Sequence, residues 1–209
     1  YGSDKPDLRF DLSFKDLSPV AAACDFKVFR GAVESGGQLK AICLKGMQGK
    51  LTRKQFDLYQ DFAKACGAKG LAWVEFQPEG KLRTSGLEKF LKPEELASMK
   101  ELSGAEDGDL ILLVADSKKV VANVLGRLRL KLGEDFDLID KNRHEMAWIV
   151  DFPLFEYNED EKRRKRQAFV KLASCNKSMI HIFNGPGNPK IISGKLLRRC
   201  SIIGYMIYS

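Results

Sequence analysis

Histidine is scarce in this sequence, no two cysteines stand at CxxC spacing, and no apolar run reaches the length of a membrane helix. Two histidines, His144 and His181, leave little material for a histidine-based acid–base or metal centre. The five cysteines, Cys24, Cys43, Cys66, Cys175 and Cys200, are scattered singly. That pattern argues against a zinc site or a disulfide framework and fits buried free thiols in a reducing compartment. A membrane helix needs roughly 18–20 consecutive apolar residues, so no spanning helix and no membrane partner are expected. An initiator methionine and a signal peptide are missing as well, and the chain opens on Tyr1 in a polar turn with Pro6 close behind. We therefore expect Tyr1 to be internal to a longer protein.

What is present is ordinary for a globular chain. Of 209 residues, 44% are hydrophobic and 30% charged, enough apolar surface to offset ordering entropy. The net charge of +7 permits a polyanionic partner, but five positive charges sit in one run, KRRKR, from Lys162 to Arg166. That run reads as a solvated loop or a nucleic-acid contact.

Periodicity predicts an α+β module over residues 12–140. The first ten residues read as a turn entering a strand, because Pro6 biases its predecessor toward extended geometry. A short helix follows, then a strand over 26–29, a turn at Gly36 and Gly37, and an alternating strand over 39–44. The stretch LTRKQFDLYQDFAKACG carries helix signals: Thr52 as cap, Phe56, Tyr59, Phe62 and Ala63 at helical spacing, and Gly67 past the end. Residues 71–76 read as a strand, followed by a turn at Pro78–Gly80 and a helix opening at Pro93. The most apolar strand spans 110–114, and a helix capped by Ser117 and stopped at Gly133 follows, with Val120, Val121, Val124, Leu125 and Leu128 in one stripe. Beyond Asn142, MAWIVDFPLFEY reads as a strand running into a bend at Phe152–Pro153, and from Glu159 onward strand-like pieces, SMIHIF and GYMIYS, come with little periodicity.

Chemistry-bearing constellations are few. His144 reads as a solvated surface residue, and His181, within MIHIF, is open to a structural or a ligand-binding reading. The stretch NGPGNPK lacks the GxxxxGK[ST] spacing of a phosphate loop. Glu106, Asp107 and Asp109 lack the bidentate glutamate of a calcium loop. A self-sufficient acid–base enzyme therefore has no site in this pattern.

Longer stretches carry a family resemblance. YGSDKPDLRF resembles the segment of bacterial-type aspartyl-tRNA synthetases that precedes a domain inserted into their catalytic sheet. LGRLRLKLGEDFDLID and WIVDFPLFEYNEDEKR resemble the point where that sheet resumes, and ESGGQLKAICLKG and AKGLAWVEF resemble the inserted GAD domain. The resemblance implies a catalytic-strand remnant over 1–11, a two-layer, mainly antiparallel GAD domain over 12–142, and an incomplete class II catalytic domain over 143–209. It implies an enzyme that activates L-aspartate with ATP and Mg2+ and charges the 3′ end of tRNA(Asp), acting as a homodimer. Such an enzyme works in the bacterial cytoplasm, or in a mitochondrion or chloroplast, toward which RFDLSFKDLSPV leans.

The same resemblance aligns IHIFNGPGNPK with a family segment whose histidine contacts the substrate aspartate, which places His181 at that position, followed by Phe183, Pro186, Asn188 and Pro189. The family's arginines of motifs 2 and 3 and its glycine-rich strand would lie outside this chain, so no catalytic residue, cofactor-binding residue or metal ligand is expected within it, and the chain alone should be inactive. A non-catalytic tRNA-binding module built from the same domain is the alternative. The tail RRCSIIGYMIYS departs from the family, and its codons in a neighbouring frame can spell family residues, so a reading-frame slip after residue 163 is expected.

Overall fold

The structure, a computed structural model, describes residues 1–3, 6–143, 145–149, 155–158, 161–166 and 205–208. It divides into two units, Tyr1–Lys141 and Asn142–Ser209.

The first unit is organised by its most apolar strand. Five strands, β1 (Lys15–Asp16), β2 (Gln38–Leu44), β3 (Ala72–Phe76), β4 (Leu82–Thr84) and β5 (Leu110–Asp116), form one sheet in the order β1-β2-β5-β3-β4, with every pairing antiparallel. In β5, Leu110, Leu112 and Val114 join one apolar cluster, while Ile111 and Leu113 join another. A strand apolar on both faces needs cover on both. Helices α3 (Arg53–Ala65) and α5 (Lys118–Asp135) supply it on one side. Helices α1 (Ser18–Ala23), α2 (Lys27–Glu34) and α4 (Pro93–Ser103) supply it on the other. The α+β class and the antiparallel sheet agree with the sequence reading, but the sheet is the middle of three layers rather than one of two.

The helices begin and end for local reasons. Thr52 caps α3 reciprocally: its hydroxyl accepts from the Gln55 amide, and the Gln55 side chain accepts from the Thr52 amide at 2.9 Å. Pro93 opens α4, the Glu95 carboxylate accepts from the Lys92 amide at 2.8 Å, and Gly104 closes the helix in a left-handed conformation. Ser117 stands at the N-cap of α5, yet its side chain makes no cap bond.

Three further expectations differ from the structure. Residues 26–29 do not form a strand: α2 starts at Lys27, because Phe26, Phe29 and Val33 fall on one helical face against the second cluster. Gly133 does not stop α5, which runs on to Asp135 with Gly133 buried inside it. No strand forms among the described residues before Lys15, because side chains take the backbone groups a ladder would use. Arg129 donates to the Phe10 and Leu12 carbonyls, and the Asp11 carboxylate accepts from the Leu12 and Ser13 amides.

In the second unit, β6 (Met146–Ile149) pairs antiparallel with β9 (Tyr205–Tyr208), and β7 (Phe155–Asn158) with β8 (Arg163–Arg166). The basic run is thus a hairpin arm, not a loop: Lys162 turns the chain at φ 47° and the ladder satisfies the backbone. The strand reading at SMIHIF and the frame slip lie outside the described residues.

Gly133 tests the packing directly. A Cβ there would stand 2.8 Å from Phe10 Cζ and 3.2 Å from Ile139 Cγ1. Helix propensity alone makes Gly133→Ala stabilising by about 1 kcal/mol. We expect instead destabilisation of about 1–3 kcal/mol from overpacking, read as a lower urea midpoint.

Candidate functional site

Two surfaces of the first unit combine charge with unusual geometry, and one buried guanidinium arranges the first of them. Arg129 lies in the apolar stripe of α5, between Leu125, Leu128 and Leu132, and is 1% exposed. Its Nη2 donates to the Phe10 carbonyl at 2.7 Å and its Nε to the Leu12 carbonyl at 3.2 Å. The guanidinium also lies 3.9 Å from the Phe10 ring centroid and 4.6 Å from that of Tyr1. Burial pushes its pKa down, and the carboxylates of Asp7 and Asp11 act against that push. Leu12 is held at φ 131°, a strained conformation for leucine. Beside this clamp a half-open cleft of about 420 Å³ is lined by Tyr1, Pro6, Asp7, Asn123, Arg127 and Leu130.

The second surface is cationic. Lys50, Arg53 and Lys54 are exposed at the start of α3, whose first turn holds no acidic residue. Cations there oppose the helix dipole, an arrangement that costs about 0.3–1 kcal/mol each and attracts anions to the surface. Arg83 on β4 adjoins them through a 3.2 Å bond from its Nη1 to the Leu51 carbonyl. The same nitrogen lies 3.3 Å from Glu75, a carboxylate 1% exposed on β3 that also accepts from the Gly49 amide and Gln77 Nε2. Arg83 is 5.5 Å from the rings of both Phe56 and Trp73, which stack at 3.9 Å. The arrangement fixes the β2–α3 loop on the β3–β4 hairpin and holds one guanidinium at the surface.

The residues singled out from sequence fare unevenly. His144, His181, Phe183, Pro186, Asn188 and Pro189 lie outside the described residues, as do Cys175 and Cys200. Cys24 is buried, and Cys43 and Cys66 are partly buried free thiols; burial pushes Cys43 up to about 11. Asp109 is a loop tie: its carboxylate, 5% exposed, accepts from the Gly46 and Glu106 amides and pairs with Lys45 at 2.8 Å. Among the described residues no group of three or more His, Cys, Asp or Glu side chains could hold a metal ion. They offer no cage for the Mg2+ that the family resemblance implies. Sequence reading missed Arg129, Glu75 and Arg83. Only Arg129 left a signal, a charge on the apolar stripe of a helix.

Residues 29–125 match the GAD domain family. Over 163 residues, 78% of the chain, it is 47% identical to an aspartate–tRNA ligase of Staphylococcus carnosus. Over the same length it is 50% identical to an aspartate–tRNA ligase of Halalkalibacterium halodurans and 49% to an aspartate–tRNA(Asp/Asn) ligase of Bacillus cytotoxicus. The chain is thus, as its motifs implied, similar to bacterial aspartate–tRNA ligases, and it spans 27% of the length of these curated relatives.

Two substitutions test the geometry. Arg129→Lys keeps the charge but loses the planar fork, so one carbonyl is left without its donor. It should cost about 1–3 kcal/mol in a urea melt. At Asp109 burial raises the carboxyl pKa, but Lys45 and the two amides outweigh it and hold the group below its ordinary value. A depressed folded-state pKa gives stability that is present above the unfolded value, about 3.9, and lost as pH falls through the folded one. Asp109→Asn should therefore lower stability at neutral pH and flatten its decline below about pH 4.

Proposed function

We propose that the chain is the GAD-bearing part of an aspartate–tRNA ligase that activates L-aspartate with ATP and Mg2+ and transfers it to the 3′ end of tRNA(Asp). The observation that carries this reading is the extent of the match. The ligase alignment covers 163 residues, whereas the GAD domain occupies 29–125, so the likeness continues beyond the domain into its flanks. A stand-alone RNA-binding module would have no use for those flanks.

In this reading the ligase is a class II homodimer in the bacterial cytoplasm or in an organelle, and His181 contacts substrate aspartate. The chain by itself does not aminoacylate, because the arginines that would counter charge on the transferring phosphate belong to other parts of the enzyme. The GAD domain faces tRNA, with Lys50, Arg53, Lys54 and Arg83 toward the phosphates.

Aspartate-dependent ATP–pyrophosphate exchange tests this. The chain alone should give none, and the product of the whole source gene should give it, with a raised KM for aspartate in His181→Ala. Exchange by the chain alone would overturn its inactivity, and none from a folded whole-gene product would overturn the ligase assignment.

A further inference from the structure

On the face of the sheet opposite α3 and α5, three phenylalanines form a ladder from core to surface. Phe29, on α2, is 3% exposed and meets the Phe26 ring edge-on at 4.8 Å. Phe26 in turn stacks on Phe90 at 5.0 Å, with 29° between the rings. Phe90 is 55% exposed, although Leu87 and Leu91 of the same turn are buried at 4% and 5%. The core is therefore closed without Phe90, and its ring extends the stack into solvent.

Cations outnumber acids around the outer ring. The two short segments that carry Phe26 and Phe90 also carry Lys27, Arg30, Lys89 and Lys92, against Asp25 and Glu88. One carboxylate serves two of the cations: Asp25 lies 2.9 Å from Arg30 and 3.4 Å from Lys92. Glu95 is engaged at the Lys92 amide. Lys27 and Lys89 are exposed and make no ion pair among the described residues.

An open aromatic face at the end of a stack, flanked by surplus cations, meets both requirements of an unpaired nucleotide: a π-surface for the base and positive charge for its phosphates. We propose that Phe90 is a stacking platform for an unpaired base of RNA, with Lys27 and Lys89 contacting the adjoining phosphates. This rests on the reading that the domain's partner is RNA, and adds a second contact surface away from α3. A purely electrostatic patch would bind duplex and single strand alike, whereas a stacking platform distinguishes them, because bases in a duplex already stack on one another.

The test is fluorescence anisotropy with the whole chain, using a short labelled single-stranded RNA and the blunt duplex of the same sequence, each across a salt series. Wild type should bind the single strand more tightly than the duplex. Phe90→Leu, confirmed as folded by a urea melt, should weaken single-strand binding about five-fold or more and leave duplex binding unchanged. Phe90→Trp should restore it. Lys27→Gln with Lys89→Gln should reduce the salt dependence by one to two phosphate contacts, about 0.7 in slope for each contact on a single strand. Unchanged single-strand binding in Phe90→Leu, no binding by wild type, or equal competition by polyglutamate would each overturn the proposal. None of these outcomes bears on the ligase reading, which pyrophosphate exchange tests separately.

Discussion

The guanidinium of Arg129 fixes where the chain enters the domain, and much of the remaining geometry follows from that. By donating to the carbonyls of Phe10 and Leu12 it replaces the hydrogen bonds that a neighbouring strand would supply. It thereby holds the inlet segment against α5, with Leu12 in a conformation leucine rarely adopts. Phe10 then lies over Gly133, where only a residue without a side chain leaves room, and Ile139 of the outgoing chain borders the same spot. Incoming and outgoing segments thus meet on one helix.

Burial of a guanidinium is expensive unless its donors are used and its charge is countered. Here two carbonyls and two aromatic faces surround it, and Asp7 and Asp11 supply negative potential. The rest of the domain is conventional by comparison. β5 is apolar on both faces, so helices must cover both, and the antiparallel order β1-β2-β5-β3-β4 places that strand at the centre.

Much of this was legible in the residues. The cap at Thr52, the proline opening α4 and the apolar run of β5 each predict their element, because each is a local signal. Phe26 to Phe29 read as a strand because four residues cannot distinguish alternation from helical spacing; Val33, one turn on, decides it. The two-layer expectation rests on the family resemblance; the run Leu110–Val114, apolar on both faces, demands the third layer instead. Arg83 and Glu75 carry no local signal, since they become neighbours only when β3 and β4 pair. The likeness to bacterial aspartate–tRNA ligases, in contrast, was legible in long motifs on both sides of the domain, although nothing in their spacing would have disclosed it.

The meeting of the two segments over α5 is the contact on which the rest of the domain's geometry depends. The most direct measurement is a nuclear Overhauser contact in solution between the Phe10 ring protons and the Gly133 α-protons. A strong cross-peak, with the glycine protons shifted by the ring current, is the predicted result. No contact, with residues 10–14 exchanging their amide protons as fast as a frayed terminus, would contradict it.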